Sequence, residues 1–334
     1  MRQVLLETEA AIRLVKETFT QELTQALHLT PVSAPLIVQD GTGINDDLNG
    51  VERPVSFRVK ALKQRKAVVV HSLAKWKRIR LQQLGVLSGQ GILTEMRALR
   101  PDEDCSPLHS VYVDQWDWEQ HIHLQDRNLT YLKHVVSHIF EAMKRTEQLV
   151  ASYDPAIPCV LPDSIHFVHA AALQRQYPTL TPAERETASA HEHGAVFIMG
   201  IGDCLPDGQP HDGRAPDYDD WSTPNEEGYA GLNGDIIVWH PVLKRAVELS
   251  SMGIRVDPPA LLRQLAERNC MQRAKLSFHK QLLAGELPAS IGGGIGQSRL
   301  CLFMLKKRHI GEVQVSIWPE DEINRLLAEG ICLL

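Results

Sequence analysis

Residues 292–299 read GGGIGQSR, four glycines followed by one arginine. The apolar pattern around them predicts a strand over the glycines and a helix from about residue 297. Glycines leave a strand without side chains, so that a flat ligand can lie against its backbone. Arg299 then presents a planar guanidinium, whose donors match phosphate or carboxylate oxygens, at the start of the helix. The pattern G-x-G-x-G-x-x-R therefore indicates a site for a nucleotide.

The common nucleotide and hydrolase signatures do not account for this stretch. No glycine in the chain is followed by lysine, which excludes the usual P-loop. The run GGGIG continues with Gln297 and lacks the last glycine of a Rossmann fingerprint. Neither H-E-x-x-H nor G-x-S-x-G occurs, and no two cysteines form a C-x-x-C pair.

Two upstream segments carry charges that suit the same ligand. Arg100-Pro-Asp-Glu103 ends a predicted strand over residues 93–100, and a short loop leads from it to a second strand over residues 111–118. Residues 248–255, ELSSMGIR, predict a third strand with an acidic entry. Two arginines can brace a triphosphate from two sides, and a carboxylate such as Glu248 can hold a Mg²⁺ ion that bridges phosphates.

The remaining pattern predicts an α+β fold, with a largely antiparallel β-sheet flanked by helices, in a single domain over residues 1–334. Strands occur in runs with short connections, and helices do not alternate regularly with them. Further strands are predicted at residues 32–38 and 313–318. Residues 203–234 form a long loop rich in Gly, Pro and Asp, and loops of this length are usually functional.

Composition narrows the class of protein. The 334 residues contain 41 acidic and 35 basic side chains, a net charge of -6, and this discourages a nucleic acid partner. Six scattered cysteines suit a reducing compartment. No apolar stretch approaches the roughly 18 residues that span a bilayer. We expect a cytoplasmic protein without a membrane or nucleic acid partner.

Together, the three charged and glycine-rich segments resemble the catalytic core of class II aminoacyl-tRNA synthetases. Longer stretches resemble the bacterial aspartate–ammonia ligases, or ammonia-dependent asparagine synthetases: HSLAKWKR, ALRPDED, SPLHSVYVDQWDWE, RAPDYDDWSTP, GLNGDI, ELSSMGIRV and IGGGIGQSRL. This resemblance covers essentially the whole chain. It implies a synthetase-like sheet, a homodimer, Mg²⁺, and the conversion of L-aspartate, ATP and ammonia into L-asparagine, AMP and pyrophosphate through β-aspartyl-adenylate.

The resemblance also implies roles at the nucleotide end. Arg100 would meet the α-phosphate and steer the attacking β-carboxylate. Arg299 would meet the β- or γ-phosphate or stack on adenine, and Glu103 would meet adenine or help to hold the metal. Glu248 is the candidate Mg²⁺ ligand, with Asp235 as a helper. The other candidates for nucleotide contact are Ser110, Ser250, Ser251 and Gly294, of which Ser250 and Ser251 fit ordinary polar strand positions equally well.

Aspartate has to be held by its ammonium and α-carboxylate groups while its β-carboxylate stays free. Lys77 and Ser72 suit the α-carboxylate, with help from helix amide groups if Ser72 caps a helix. Asp219 and Gln115 suit the substrate ammonium and its neighbouring polar atoms, and Gln115 also counts as a catalytic candidate. Asp235 is a further substrate-binding candidate.

Asp46, in the loop sequence INDDLNG, would accept a proton from ammonium or orient ammonia. Without the resemblance, an Asp beside Asn and Gly is more often a turn residue. The site must also exclude water, since hydrolysis of the adenylate returns aspartate. The loop over residues 203–234 is a candidate lid for this purpose.

Two observations favour free ammonia and argue against tRNA. Arg2 stands where the glutamine-dependent type of asparagine synthetase has its cysteine nucleophile. Core motifs occupy most of the chain, which leaves no room for an anticodon-reading module. The alternative hypothesis is a catalytically inactive synthetase-like sensor of an amino acid or AMP. Retention of Arg100, Glu103, Glu248 and Arg299 argues against it, since a sensor does not require a triphosphate clamp.

Overall fold

The computed structural model describes residues 2–46, 48 and 52–334. Its strands are β1 Leu29–Pro31, β2 Ile37–Gln39, β3 Ser56–Val59, β4 Arg65–Val69, β5 Gly91–Leu99, β6 Tyr112–His121, β7 His166–His169, β8 Ala195–Met199, β9 Asn233–His240, β10 Arg245–Ile254 and β11 Ser290–Gly296. Eight of them form one sheet in the order β1-β5-β6-β11-β10-β9-β8-β7, and β2, β4 and β3 form a small second sheet. In the large sheet, only the β1–β5 and β7–β8 pairs are parallel. The predicted largely antiparallel α+β class is confirmed.

The helices are α1 Arg2–Ala26, α2 Ala74–Leu84, α3 Leu129–Tyr153, α4 Ala170–Gln176, α5 Pro182–His193, α6 Pro258–Glu267, α7 Ser277–Leu283, α8 Gln297–Met304 and α9 Glu320–Ala328. Local sequence explains their ends. For example, Thr181 and Glu184 form a capping box at the start of α5, and Gly194 ends that helix. In the described part of the chain, no helix has both the length and the apolar character needed to cross a membrane.

The core lies between one face of the large sheet and the helices α1, α3 and α8. Trp116 and Trp118 of β6 project into it and are almost completely buried, as are Phe19 of α1 and Phe140 of α3. The rings of Phe19 and Trp116 meet edge to face, with centroids 4.7 Å apart. Burying a side chain of this size stabilises the fold by about 1.5–3 kcal/mol. The face of the sheet that carries these aromatic residues is therefore the one buried against the helices.

The opposite face of β6 carries polar side chains, because successive residues of a strand point to alternate faces. Gln115, Asp117 and Glu119 alternate with the two tryptophans. The strand β11 lies beside β6, and Gly294 pairs with Asp117 on one side and with Ser251 of β10 on the other. The strand order therefore places all three sequence segments side by side on one polar face.

Two predicted strands differ from the structure. Residues 32–38 do not form one strand, because β1 ends at Pro31 and β2 begins only at Ile37. Residues 313–318 are irregular and follow a short 3-10 turn, Ile310–Glu312. Alternating hydrophobicity misled the second prediction, since this segment packs against the loop before β6, where the Ser316 and Ser110 hydroxyls lie 2.6 Å apart.

Candidate active site

A cavity of about 460 Å³ opens on the polar face of the sheet. Residues from β6, β10, β11, the starts of α2 and α8, and several loops form its walls. It brings together these sequence-predicted residues: Asp46, Ser72, Lys77, Arg100, Glu103, Ser110, Gln115, Asp219, Glu248, Ser251, Gly294 and Arg299. The separate sequence segments that carry the family resemblance therefore contribute residues to a single cavity.

Asp235 and Ser250 do not line this cavity. The Ser250 hydroxyl is buried and donates to the Gly294 carbonyl at 3.1 Å, which is the structural role left open for it. Asp235 is also buried, and its carboxylate accepts a hydrogen bond from Arg214 Nη2 at 2.6 Å. Burial is the main reason that the pKa of Asp235 is raised to about 7. The Arg214 charge lowers this pKa in part, and the Glu248 charge raises it further.

One end of the cavity is cationic. Arg100 and Arg299 each keep about a quarter of the side chain exposed, so their guanidinium groups remain accessible. His109 lies beside them, and its Nδ1 is 2.8 Å from the Ser106 hydroxyl. Burial lowers the pKa of His109 to about 4, and the Arg299 charge adds to this effect. Such a concentration of donors and positive charge suits a polyphosphate.

Glu103 and Glu248 supply carboxylates at the same end. The Glu103 carboxylate lies 3.9 Å from Arg100 Nη1, and the Glu248 carboxylate lies 3.5 Å from Arg299 Nη1. Glu248 is about two-fifths exposed, so its oxygens can still accept a ligand. Among the described residues, no group of three or more His, Cys, Asp or Glu side chains is placed to hold a metal by itself. Mg²⁺ commonly uses one or two carboxylates together with substrate phosphates, and Glu248 fits that use.

The other end of the cavity is a buried ionic cluster. Lys77 donates to Asp117 and, at 2.9 Å, to the Gly293 carbonyl. Arg255 donates through Nη2 to Glu119 at 2.7 Å and also bonds Asp219. Burial lowers the pKa of Lys77, although Asp117 opposes this. Asp219 also lies 3.7 Å from Arg214 Nε. Asp117 and Asp219 line the cavity, and their carboxylates suit the ammonium group of an amino acid.

The helix α2 delivers Lys77 to this cluster. Ser72 was expected to cap the helix, and this is wrong in register: α2 begins at Ala74, Leu73 occupies the N-cap position, and no side chain caps it. The Ser72 hydroxyl nevertheless accepts from the Ala74 amide at 3.2 Å. Both residues line the cavity, so the helix N-terminus faces the cavity.

The glycines of β11 are required by the side chains that cross the strand. A Cβ atom on Gly294 would lie 2.5 Å from Oε1 of Gln115, and one on Gly292 would overlap the Glu119 carboxylate. The amide of Gln115 therefore reaches over Gly294 into the cavity. The glycine-rich pattern is explained by close packing of the Gln115 and Glu119 side chains as well as by room for a ligand.

Asp46 lies in the cavity wall and is almost completely buried. Its Oδ1 atom accepts from the Leu48 amide at 3.0 Å, while Oδ2 has no hydrogen-bond partner among the described residues. Burial raises the pKa of Asp46, although the nearby Lys75 ammonium opposes the rise. A carboxylate whose pKa is raised in this way accepts a proton more readily than an ordinary aspartate.

Comparisons with known proteins identify the family. The family model described as aspartate-ammonia ligase matches residues 6–330. This chain belongs to that family. Proteins named aspartate--ammonia ligase from Parabacteroides distasonis and Clostridium perfringens are 55% and 51% identical to it, each over 99% of this chain and 96% of theirs.

The fold comparison agrees with the sequence resemblance. Asparaginyl-tRNA synthetase from Pyrococcus horikoshii, complexed with asparaginyl-adenylate, matches with a TM-score of 0.68 and 16% identity over 94% of this chain and 70% of that chain. The Entamoeba histolytica asparaginyl-tRNA synthetase matches with a TM-score of 0.63 and 14% identity, over 94% and 68%. The predicted synthetase-like catalytic fold is confirmed.

Sequence reasoning missed several side chains at the site, Asp117 and Arg255 of the ionic cluster among them. Arg214, from the long loop, bonds Asp235 and Ser251 and thereby fastens that loop to the sheet. Asp114 of β6 accepts from the Ser298 amide at 3.0 Å and so fixes the start of α8.

His109 had a usable sequence signal, since it lies in the short loop between the R-x-x-E segment and the next strand.

Proposed function

We propose that this chain is an aspartate–ammonia ligase, which forms L-asparagine from L-aspartate, ATP and ammonia and releases AMP and pyrophosphate. The observation that carries the proposal is a single cavity with an arginine-lined end and a compact buried ionic end. The first suits a triphosphate, and the second suits a small zwitterion. Membership of the aspartate–ammonia ligase family supports the same conclusion.

The first step joins aspartate to AMP. A β-carboxylate oxygen of aspartate attacks the α-phosphorus, the P–O bond to the β-phosphate breaks, and pyrophosphate leaves with the electron pair. Arg100 and Arg299 would offset the negative charge that this transition state concentrates, and such pre-organised charge is usually the largest catalytic contribution. Glu248 would hold a Mg²⁺ ion that neutralises phosphate charge when bound.

Aspartate orientation decides which carboxylate reacts. Lys77, Ser72 and the start of α2 would bind the α-carboxylate, and Asp219 with the Gln115 amide would bind the ammonium group. This leaves the β-carboxylate directed toward Arg100. The Asp219 carboxylate lines the cavity and attracts the ammonium to that position.

The second step uses ammonia. Asp46 accepts a proton from ammonium, the nitrogen lone pair forms a C–N bond to the activated carbonyl, and the C–O bond to AMP breaks with the electron pair leaving on AMP. The phosphate of the departing AMP takes the second proton from nitrogen, which completes the amide. The residues 203–234 would cover the adenylate against water.

The overall organisation completes the proposal. Residues 1–334 form a single catalytic domain, the chain forms a homodimer, and it works in the cytoplasm. The six cysteines form no disulfide in the described part of the chain, which supports a reducing compartment. The inactive sensor is not favoured, because the residues that a sensor could lose, Arg100 and Arg299 among them, all line the cavity.

The deciding experiment incubates purified protein with ATP, Mg²⁺, ammonium chloride and aspartate labelled with ¹⁸O in its β-carboxylate. AMP and asparagine should form in equal amounts, and the AMP should carry one labelled oxygen. ADP in place of AMP would refute the adenylate. Equal product formation without ammonium would refute the ligase.

A further inference from the structure

A second buried ionic cluster lies outside the cavity. Asp217 accepts from Lys75 Nζ and from His279 Nε2, each at 3.0 Å, and Arg273 lies 3.4 Å from the same oxygen. Lys75, Asp217 and His279 expose 2% or less of their side chains. These three residues, the Asp217 cluster below, come from α2, the long loop and α7, and the substrate-binding roles above use none of them.

The Asp217 cluster is close enough to Asp46 to act on its carboxylate. Burial raises the pKa of Asp46, the Lys75 charge lowers it, and the Asp217 charge raises it further. The loop that leads to Asp46 rests on α7: the Phe278 amide donates to the Thr42 carbonyl at 3.3 Å.

The loop that leads to Asp46 also lies close to His279. A Cβ on Gly43 would lie 3.0 Å from its Nδ1 atom. His71, just before α2, completes the surroundings, with Nδ1 3.2 Å from the Asp46 carbonyl. Tyr218, next to Asp217, also faces the Asp46 carboxylate.

Several buried polar atoms of this region have no hydrogen-bond partner among the described residues. They are Asp46 Oδ2, Asp217 Oδ1, His279 Nδ1 and His71 Nε2. Buried polar atoms are normally paired, so a group of unpaired ones requires an explanation. A carboxylate that must alternately bind and release a proton needs an oxygen that is not permanently engaged.

We propose that Asp217, held by Lys75 and His279, is a positioning residue that keeps the Asp46 carboxylate available to take a proton from ammonium. The inference rests on the proposed function. Lys75 donates its hydrogen bond to Asp217, so Lys75 does not lock Asp46 into a permanent ion pair. His279 fixes Asp217 and supports the loop that carries Asp46. The proton moves from nitrogen to Asp46, and Asp217 itself does not react.

The test separates the two half-reactions in the variant Asp217→Asn. Aspartate-dependent ATP–pyrophosphate exchange, measured without ammonium, reports adenylate formation alone. Asparagine synthesis against ammonium chloride concentration reports the ammonia step. We expect exchange within twofold of wild type and kcat/KM for ammonium lower by roughly tenfold, part of the 10²–10⁴ that general bases contribute.

The pH profile gives a readout that a merely structural role would not move. Removing Asp217 leaves Asp46 as the carboxylate nearest Lys75, so the acidic limb of the ammonium-dependent rate should move to lower pH. A parallel fall in exchange and synthesis, with the limb unmoved, would overturn the inference. Absence of exchange in the wild-type protein would instead refute the proposed function.

Two further variants complete the design. His279→Gln keeps a donor for Asp217 and is the variant to use if Asp217→Asn is insoluble. A loss confined to the ammonia step would support the inference, and equal losses in exchange and synthesis would overturn it. Glu147→Gln is the matched control, since Glu147 is another buried carboxylate, paired with Lys306 at 3.0 Å but not lining the cavity. It should lower stability and leave the ratio of the two half-reactions unchanged.

Discussion

Arg299 is joined to Glu248 twice. Its Nη1 atom donates to the Glu248 carbonyl at 3.2 Å, and the same atom lies 3.5 Å from the Glu248 carboxylate. The first contact ties α8 to β10, and the second pairs the proposed phosphate-binding cation with the proposed metal ligand. The two proposed roles therefore belong to groups that hold each other in place.

Replacing Arg299 by lysine tests the geometry of this pair. Lysine keeps the charge but loses the planar fork that can bind two oxygens at once. We expect kcat/KM for ATP to fall roughly 10²-fold, as when one pre-organised donor is removed, with KM for ammonium unchanged. Steady-state rates with each substrate varied would show this. Full activity in the lysine variant would contradict a bidentate role.

Replacing Glu248 by glutamine tests the metal assignment. The amide keeps the size of the side chain but binds Mg²⁺ weakly, because the ion prefers charged oxygen ligands. Adenylate formation should then need a higher Mg²⁺ concentration, and excess Mg²⁺ should restore part of the rate. Exchange assays over a Mg²⁺ series measure this. An unchanged Mg²⁺ dependence in Glu248→Gln would mean that another residue holds the metal. The Mg²⁺ dependence of Asp235→Asn serves as the comparison, since Asp235 lies outside the cavity wall.

Much of this site was predictable because the alternation of side chains along a strand is a local property, and it decides which residues share a face of the sheet. Gly294, Glu248 and Arg100 lie on predicted strands or at their ends, and antiparallel pairing brings such positions together. The family resemblance supplied their roles.

Other parts depend on contacts between distant segments. Arg214 acquires its role only when the long loop folds back on Asp235 and Ser251, and nothing in its local sequence indicates this. The segment at residues 313–318 alternates as a strand does, but it has no partner edge and packs as irregular chain. Ser72 precedes its helix by two positions because Leu73, not Ser72, takes the N-cap.

A single methyl group on Gly294 should disable the site. In Gly294→Ala, the new Cβ would lie 2.5 Å from Gln115 Oε1, so the Gln115 amide must move. Overpacking of this kind costs about 1–3 kcal/mol of folding free energy. We expect a lower midpoint of thermal unfolding and a larger loss of adenylate formation, measured by calorimetry and exchange. Gly285→Ala is a control for space, since nothing lies within 4 Å of its Cβ position, although its positive φ adds strain of its own.

His109 should make the protein less stable in acid. Its pKa is about 4 in the folded chain and about 6.5 when unfolded. Between these values the unfolded chain binds more protons, so the free energy of unfolding falls as pH decreases from 6.5 toward 4. His109→Gln should lose part of that slope. Urea unfolding at pH 7 and pH 5 measures it, and identical slopes in the two proteins would exclude this contribution.

Asp46→Asn tests the proton acceptor itself. The amide cannot take a proton from ammonium, so asparagine synthesis near neutral pH should fall by about 10²–10⁴, while exchange continues. The deficit should shrink as pH rises, because a growing share of ammonium is then already deprotonated. Asp40→Asn is the matched control: Asp40 is exposed, lies on the same loop and pairs with Lys66 at 3.3 Å, so its loss should change neither reaction. A deficit in Asp46→Asn that stays constant with pH would show that Asp46 orients ammonia without accepting its proton.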